Sequence, residues 1–230
     1  LHKLWASRPI PDDQLLTNLG LYIRGSALAK IFFLQEIHLQ ILDIPGCIMA
    51  FGTWWGQDLI VFENLRAIYE PYNCGRRIIG FDTFTGYLPS SDKDKPSEVV
   101  AEGNYSTTEN YEEYLSELIA YHESENAMAH IPKHRVIRGD VCVSAPQYFV
   151  ENPETLVALA YFDFAVYEPT KAALQAVLPR LVKGSILAFD ELNSADYPGE
   201  SRAVLEALDL KNHTVKRSKI LPDRAYIQLT

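Results

Sequence analysis

Five acids and a glycine pair stand at the ends of apolar runs. Cys47-Ile48-Met49-Ala50-Phe51 leads into Gly52-Thr53-Trp54-Trp55-Gly56, and a second run ends in Phe81-Asp82-Thr83-Phe84. Others end in Gly139-Asp140, in Asp163 and in Asp190-Glu191. Paired glycines let a backbone turn tightly and approach a ligand, with the amides of the following helix facing it. Alone, this glycine spacing is not a dinucleotide fingerprint. Asp82, at the tip of the second strand, is placed to accept from both hydroxyls of a ribose, or else to cap the loop that follows. Asp140 is placed to meet the exocyclic amine of a base, or equally to cap a helix. Asp163, Asp190 and Glu191 converge if their strands are neighbours, because adjacent strands lie about 5 Å apart. Convergent carboxylates repel unless protons or a cation intervene, and an all-oxygen set suits Mg2+, Mn2+ or Ca2+ rather than zinc. Separate capping and salt-bridge roles are the alternative.

These tips need a scaffold that brings them to one edge. A short, continuously apolar strand is predicted at 47–51 and buried-looking strands at 77–81, 135–138, 156–162 and 185–189, with helices at 57–69, 144–151 and 169–181 among them. Strands this apolar, separated by helices, imply an α/β fold, a doubly wound and mostly parallel sheet covered on both faces. A helix at 200–208 and strands at 213–218 and 225–229 close the chain, the last two as an antiparallel edge. Residues 1–230 read as a single domain, with a helical N-terminal segment over 1–45 that Gly20 and Gly25 interrupt. In that segment Leu19, Tyr22, Phe32 and Phe33 suit a homodimer interface, a lid or ordinary core packing. Residues 90–125 are a polar insertion running into a charged helix, either solvated or a lid that uses Tyr105, Tyr111 and Tyr114.

Composition excludes several classes. With a net charge of −9 there is no global basic field to attract nucleic acid or an anionic membrane. No apolar stretch approaches the roughly 20 residues that span a bilayer. The first ten residues do not read as a signal peptide, so the expected compartment is the cytoplasm. Cys47, Cys74 and Cys142 form no CxxC pair and read as buried, reduced thiols. His122, His130 and His134 read as solvated. There is no GxSxG elbow and no P-loop, which argues against hydrolase and NTPase chemistry.

Taken in order and spacing, the motifs resemble those of class I S-adenosylmethionine-dependent methyltransferases, in the macrocin-O-methyltransferase-like group that modifies sugars. The matching pieces are Phe51–Gln57, Gly80–Gly86, Phe162–Lys171, Phe189-Asp190-Glu191 and Pro198-Gly199-Glu200. The resemblance implies a Rossmann-like methyltransferase fold and an O-methyl transfer to a sugar or glycosylated natural product. It implies that Gly52, Thr53, Trp54 and Gly56 line the methionine part of the cofactor. Asp82, Thr83 and Phe84 would then border the ribose, and Asp140 and Val141 the adenine. Asp163, Asp190 and Glu191 would hold Mg2+ or a similar cation, with Asp163 also bordering the cofactor and Asp163 and Glu191 serving catalysis. A small-molecule acceptor is the implied partner.

Two departures from that group stand out. The acid that often precedes the first glycine is absent, with Ala50-Phe51 in its place. The second acid of the Asp163 segment, which looks like the group's general base, is Ala165 here. Either another base serves, or the chain binds cofactor without catalysis, as a structural or regulatory partner.

Overall fold

The computed structural model describes residues Leu1–Thr230. Its centre is made by the two most apolar strands, β1 (Cys47–Phe51) and β4 (Val157–Phe162), in which every residue is buried. Strands without a polar face fit only where helices cover both sides of a sheet. β1 and β4 pair in parallel, Phe51 opposite Phe162. β2 (Ile78–Asp82) and β3 (His134–Arg138) extend the sheet beyond β1, and β5 (Leu181–Phe189) extends it beyond β4. β7 (Ala225–Gln228) lies antiparallel between β5 and β6 (Thr214–Arg217), giving the order β3-β2-β1-β4-β5-β7-β6. The mostly parallel doubly wound sheet and its antiparallel edge are both as expected.

Alternation along β1 sends its side chains into two cores. Ile48 and Ala50 join the core under α3 (Gly25–Leu39), α4 (Gln57–Tyr69) and α5 (Tyr111–Ser124). Met49 and Phe51 join the core under α6 (Val141–Glu151), α7 (Tyr167–Val177) and α8 (Gly199–Ala207). The N-terminal segment carries only the short α1 (His2–Ala6), α2 (Asp12–Leu15) and a 3-10 turn before α3 begins at Gly25. No helix is long and apolar enough to cross a membrane.

Several boundaries and side chains differ from expectation. α6 starts at Val141, three residues before the predicted 144, because Asp140 caps it. α7 ends at Val177 rather than 181, where Leu178-Pro179-Arg180 tightens into a 3-10 turn. β5 starts at Leu181 rather than 185, across an irregular register that includes Gly184. Phe33 is fully buried core, whereas Phe32 and Leu19 face outward and Tyr22 packs edge-on against Trp5. His134 is not solvated, since its Nδ1 lies 2.6 Å from the Glu123 carboxylate. The cysteines are unpaired, but only Cys47 is buried, and Cys142 is exposed in the first turn of α6.

Candidate functional site

Parallel strands all end at the same edge, and β1 and β4 end side by side. Gly52 is the residue that makes this possible. It has φ +81°, and a Cβ there would stand 2.3 Å from the Asp163 carbonyl oxygen. Gly52→Ala combines left-handed strain with a backbone clash, so it is expected to cost about 3 kcal/mol. A melting temperature within 2 °C of wild type, as a small surface change would give, would contradict that packing.

A cavity of about 700 Å3 opens over these tips. Gly52, Thr53, Trp54, Asp82, Thr83, Asp140, Val141, Asp163, Asp190 and Glu191 all border it. Gly56 and Phe84 do not. Gly56 turns the chain at φ +74° and packs on Leu115 of α5, and Phe84 is buried in the core beneath that helix. Asp82 braces two loops, its oxygens accepting from Trp54 N and Phe84 N, both at 2.7 Å. Asp140 caps α6 by accepting from Cys142 N at 2.9 Å, the capping alternative, and still faces the cavity.

The structure brings Asp163, Asp190 and Glu191 together, with one oxygen of each within 4.8 Å of the others. Four side chains outside the expected site residues support this cluster. Lys30 reaches over from α3 and donates to Asp163 Oδ2 at 2.8 Å. Tyr161 donates to Asp190 Oδ1 at 2.7 Å. Arg224, from the hairpin before β7, grips Asp190 through two nitrogens, with Nη2 2.6 Å from Oδ2. Glu200 is wholly buried, accepting from Phe164 N and Ala165 N at 3.1 Å and from Glu191 N at 3.0 Å. It ties the loop after β4 to the loop after β5. Lys30 left a faint signal as a lone cation in an apolar helix, and Glu200 had one in Pro198-Gly199-Glu200. Tyr161 and Arg224 had none.

The cluster fits a hard divalent cation by its all-oxygen donors and by one orphaned atom. Glu191 Oε2 is buried with no hydrogen-bond partner. Burial, then the charges of Glu200, Asp190 and Asp163, pushes its carboxyl up to about 10. Such a group calls for a proton or a cation. Arg224 pairs with Asp190 and Lys30 with Asp163, which leaves Glu191 as the one acid of the three without a paired cation.

Part of the insertion, including Ser90, Asp94, Val100 and Tyr105, borders the cavity as a roof, although most of its residues are exposed. Tyr105 packs edge-on against Trp54 at 5.1 Å. Tyr111 packs against Trp55 at 4.7 Å and donates its hydroxyl to the Trp55 carbonyl. Tyr114, the third expected contact, is exposed, does not border the cavity and lies against Tyr111. Asp94 accepts from Tyr167 N at 2.8 Å, and Lys95 pairs with Asp196 at 2.6 Å, docking the insertion over the start of α7 and the loop before α8. Ala165 borders the cavity at φ +61°, a left-handed conformation.

No family model and no curated protein matches the chain. Solved structures do. The chain is similar to CalS11, a calicheamicin methyltransferase, at 40% identity and a TM-score of 0.95, over 99% of this chain and 89% of that one. The apo structure of CalS11, described as a TDP-rhamnose 3'-O-methyltransferase, is similar at 38% identity and a TM-score of 0.86, over 99% and 90% of the two chains. The O-methyltransferase NovP shares the fold at 16% identity and a TM-score of 0.65, over 88% of this chain and 80% of its own.

Proposed function

Because this chain belongs to the class I S-adenosylmethionine-dependent methyltransferases, in the macrocin-O-methyltransferase-like sugar group, we propose that it methylates a hydroxyl of a sugar or glycosylated natural product. The observation that carries this reading is the meeting of Asp163, Asp190 and Glu191 at the floor of a cavity bordered by the glycine turn. S-adenosylmethionine supplies an electrophilic methyl group, and a divalent cation, when bound, supplies charge that makes the acceptor hydroxyl more acidic. In the transfer the sulfur–carbon bond breaks, an oxygen–carbon bond forms, and the hydroxyl proton leaves to a carboxylate.

The residues divide this work. Gly52, Thr53 and Trp54 border the methionine end, Asp82 and Thr83 the ribose, and Asp140 and Val141 the adenine. Asp163 and Glu191 hold the cation together with Asp190, and they are the acids left to receive the proton, since Ala165 cannot. Tyr87, Val100 and Tyr105 of the roof exclude water and orient the acceptor.

Calorimetric titration with S-adenosylhomocysteine, with and without Mg2+, tests the reading. Micromolar binding is expected, and no heat at millimolar ligand would overturn it. Stripping the protein with a chelator is expected to lower turnover by about 10², restored by Mg2+. Full activity in excess chelator would remove the cation from the proposal. Ala165 favours a second reading, a catalytically silent cofactor-binding partner. Tight cofactor binding without methylation of any sugar acceptor would select it.

A further inference from the structure

The mechanism leaves one buried acid of the cavity unused. Asp58, in the first turn of α4, is 4% exposed and borders the cavity, and neither of its carboxylate oxygens has a hydrogen-bond partner. A lone buried carboxylate is costly, so it holds a proton or awaits a cation. The one cation whose charge acts on it is Lys30. Lys30 is the only basic side chain bordering the cavity, and it is already committed to Asp163. The Thr53 hydroxyl, which borders the same cavity, is also buried without a partner. The first turn of α4 is open as well, because its N-cap is Gly56, which has no side chain to offer. β1 adds no acid here, since Ala50 and Phe51 are fully buried in the two cores.

An acid with no hydrogen-bonded cation and a hydroxyl with no partner border the same cavity at the uncapped first turn of a helix. That is the complement of an α-amino acid zwitterion: its ammonium meets the acid, and its carboxylate meets the donors. We propose that Asp58 accepts from the α-ammonium of the methionine end of the cofactor, while Thr53 Oγ1 and the first amides of α4 donate to its α-carboxylate. The assignment rests on the cofactor reading above and adds the residue that recognises the amino acid end.

The test compares two ligands on the full chain. S-adenosylhomocysteine carries the amino acid end, whereas 5′-methylthioadenosine lacks it and keeps the nucleoside and sulfur. Asp58→Asn is expected to weaken S-adenosylhomocysteine by about 10- to 100-fold and to leave methylthioadenosine within about twofold. Its melting temperature is expected to equal or exceed that of wild type, since a buried charge is relieved. If Asp58→Asn does not fold, Asp58→Ser serves for the same comparison. Equal weakening of both ligands, or of neither, overturns the role of Asp58. Failure of the wild-type protein to bind either ligand overturns the cofactor reading instead.

Discussion

Asp163→Asn is expected to lower turnover by about 10³ with little change in fold. The substitution keeps the shape of the side chain and removes only its charge. That charge lies between the Lys30 ammonium, 2.8 Å away, and the oxygens of Asp190 and Glu191. Losing it removes one of the three cation donors and one of the two acids able to take the acceptor proton. General-base and electrostatic contributions of this kind are each worth about 10² to 10⁴ in rate. Stability should hold because Lys30 and Asp163 are each about a quarter exposed, so water can solvate the ammonium that remains. Initial rates at saturating cofactor and acceptor, with a melting curve beside them, check the expectation. Residual activity above a tenth of wild type would move the chemistry away from Asp163.

Ala165→Asp is expected to act in the opposite direction, raising turnover by about 10². The local backbone favours the change. Ala165 sits at φ +61°, where aspartate is better tolerated than most residues, and its amide is held by Glu200. The new carboxylate would arise on the cavity wall two residues from Asp163, as a proton acceptor in addition to the acids that hold the cation. It would also bring another negative charge to a crowded cluster, so the gain should depend on Mg2+ more steeply than the wild-type rate does. Unchanged turnover, with the variant folded and binding cofactor, would end the argument that a missing base limits this protein.

The two substitutions probe parts of the site with different legibility. Asp163, Asp190 and Glu191 could be read as a group because each follows an unbroken apolar run, and a parallel sheet delivers the ends of such runs to one edge. Gly52 was readable for the same reason, since β1 could only be followed by a tight turn. The seven-stranded sheet and its antiparallel edge followed from the alternation of apolar runs with amphipathic segments. Orientation around the tips was less legible. Gly56 and Phe84 belong to the right motifs yet face α5 and the core, because a turn decides side by side which residues point in.

The roles of Lys30, Tyr161, Glu200, Arg224 and Asp58 were decided by tertiary structure, although the motif that holds Glu200 was legible. Lys30 meets Asp163 across 133 positions and Arg224 meets Asp190 across 34. No local spacing encodes such pairs; they exist because α3 lies over the sheet beside β4 and because β7 inserts next to β5. Asp58 is the sharpest case. In sequence it is an ordinary acid in the first turn of a helix, where exposure and the helix dipole would account for it. Only packing shows it buried, unpaired and facing the cavity. Sequence by itself determined which elements form and which residues end them, since hydrophobic periodicity and turn chemistry act over a few residues. Burial and the neutralisation of charge are properties of surfaces brought together from distant segments, and only the folded chain set them.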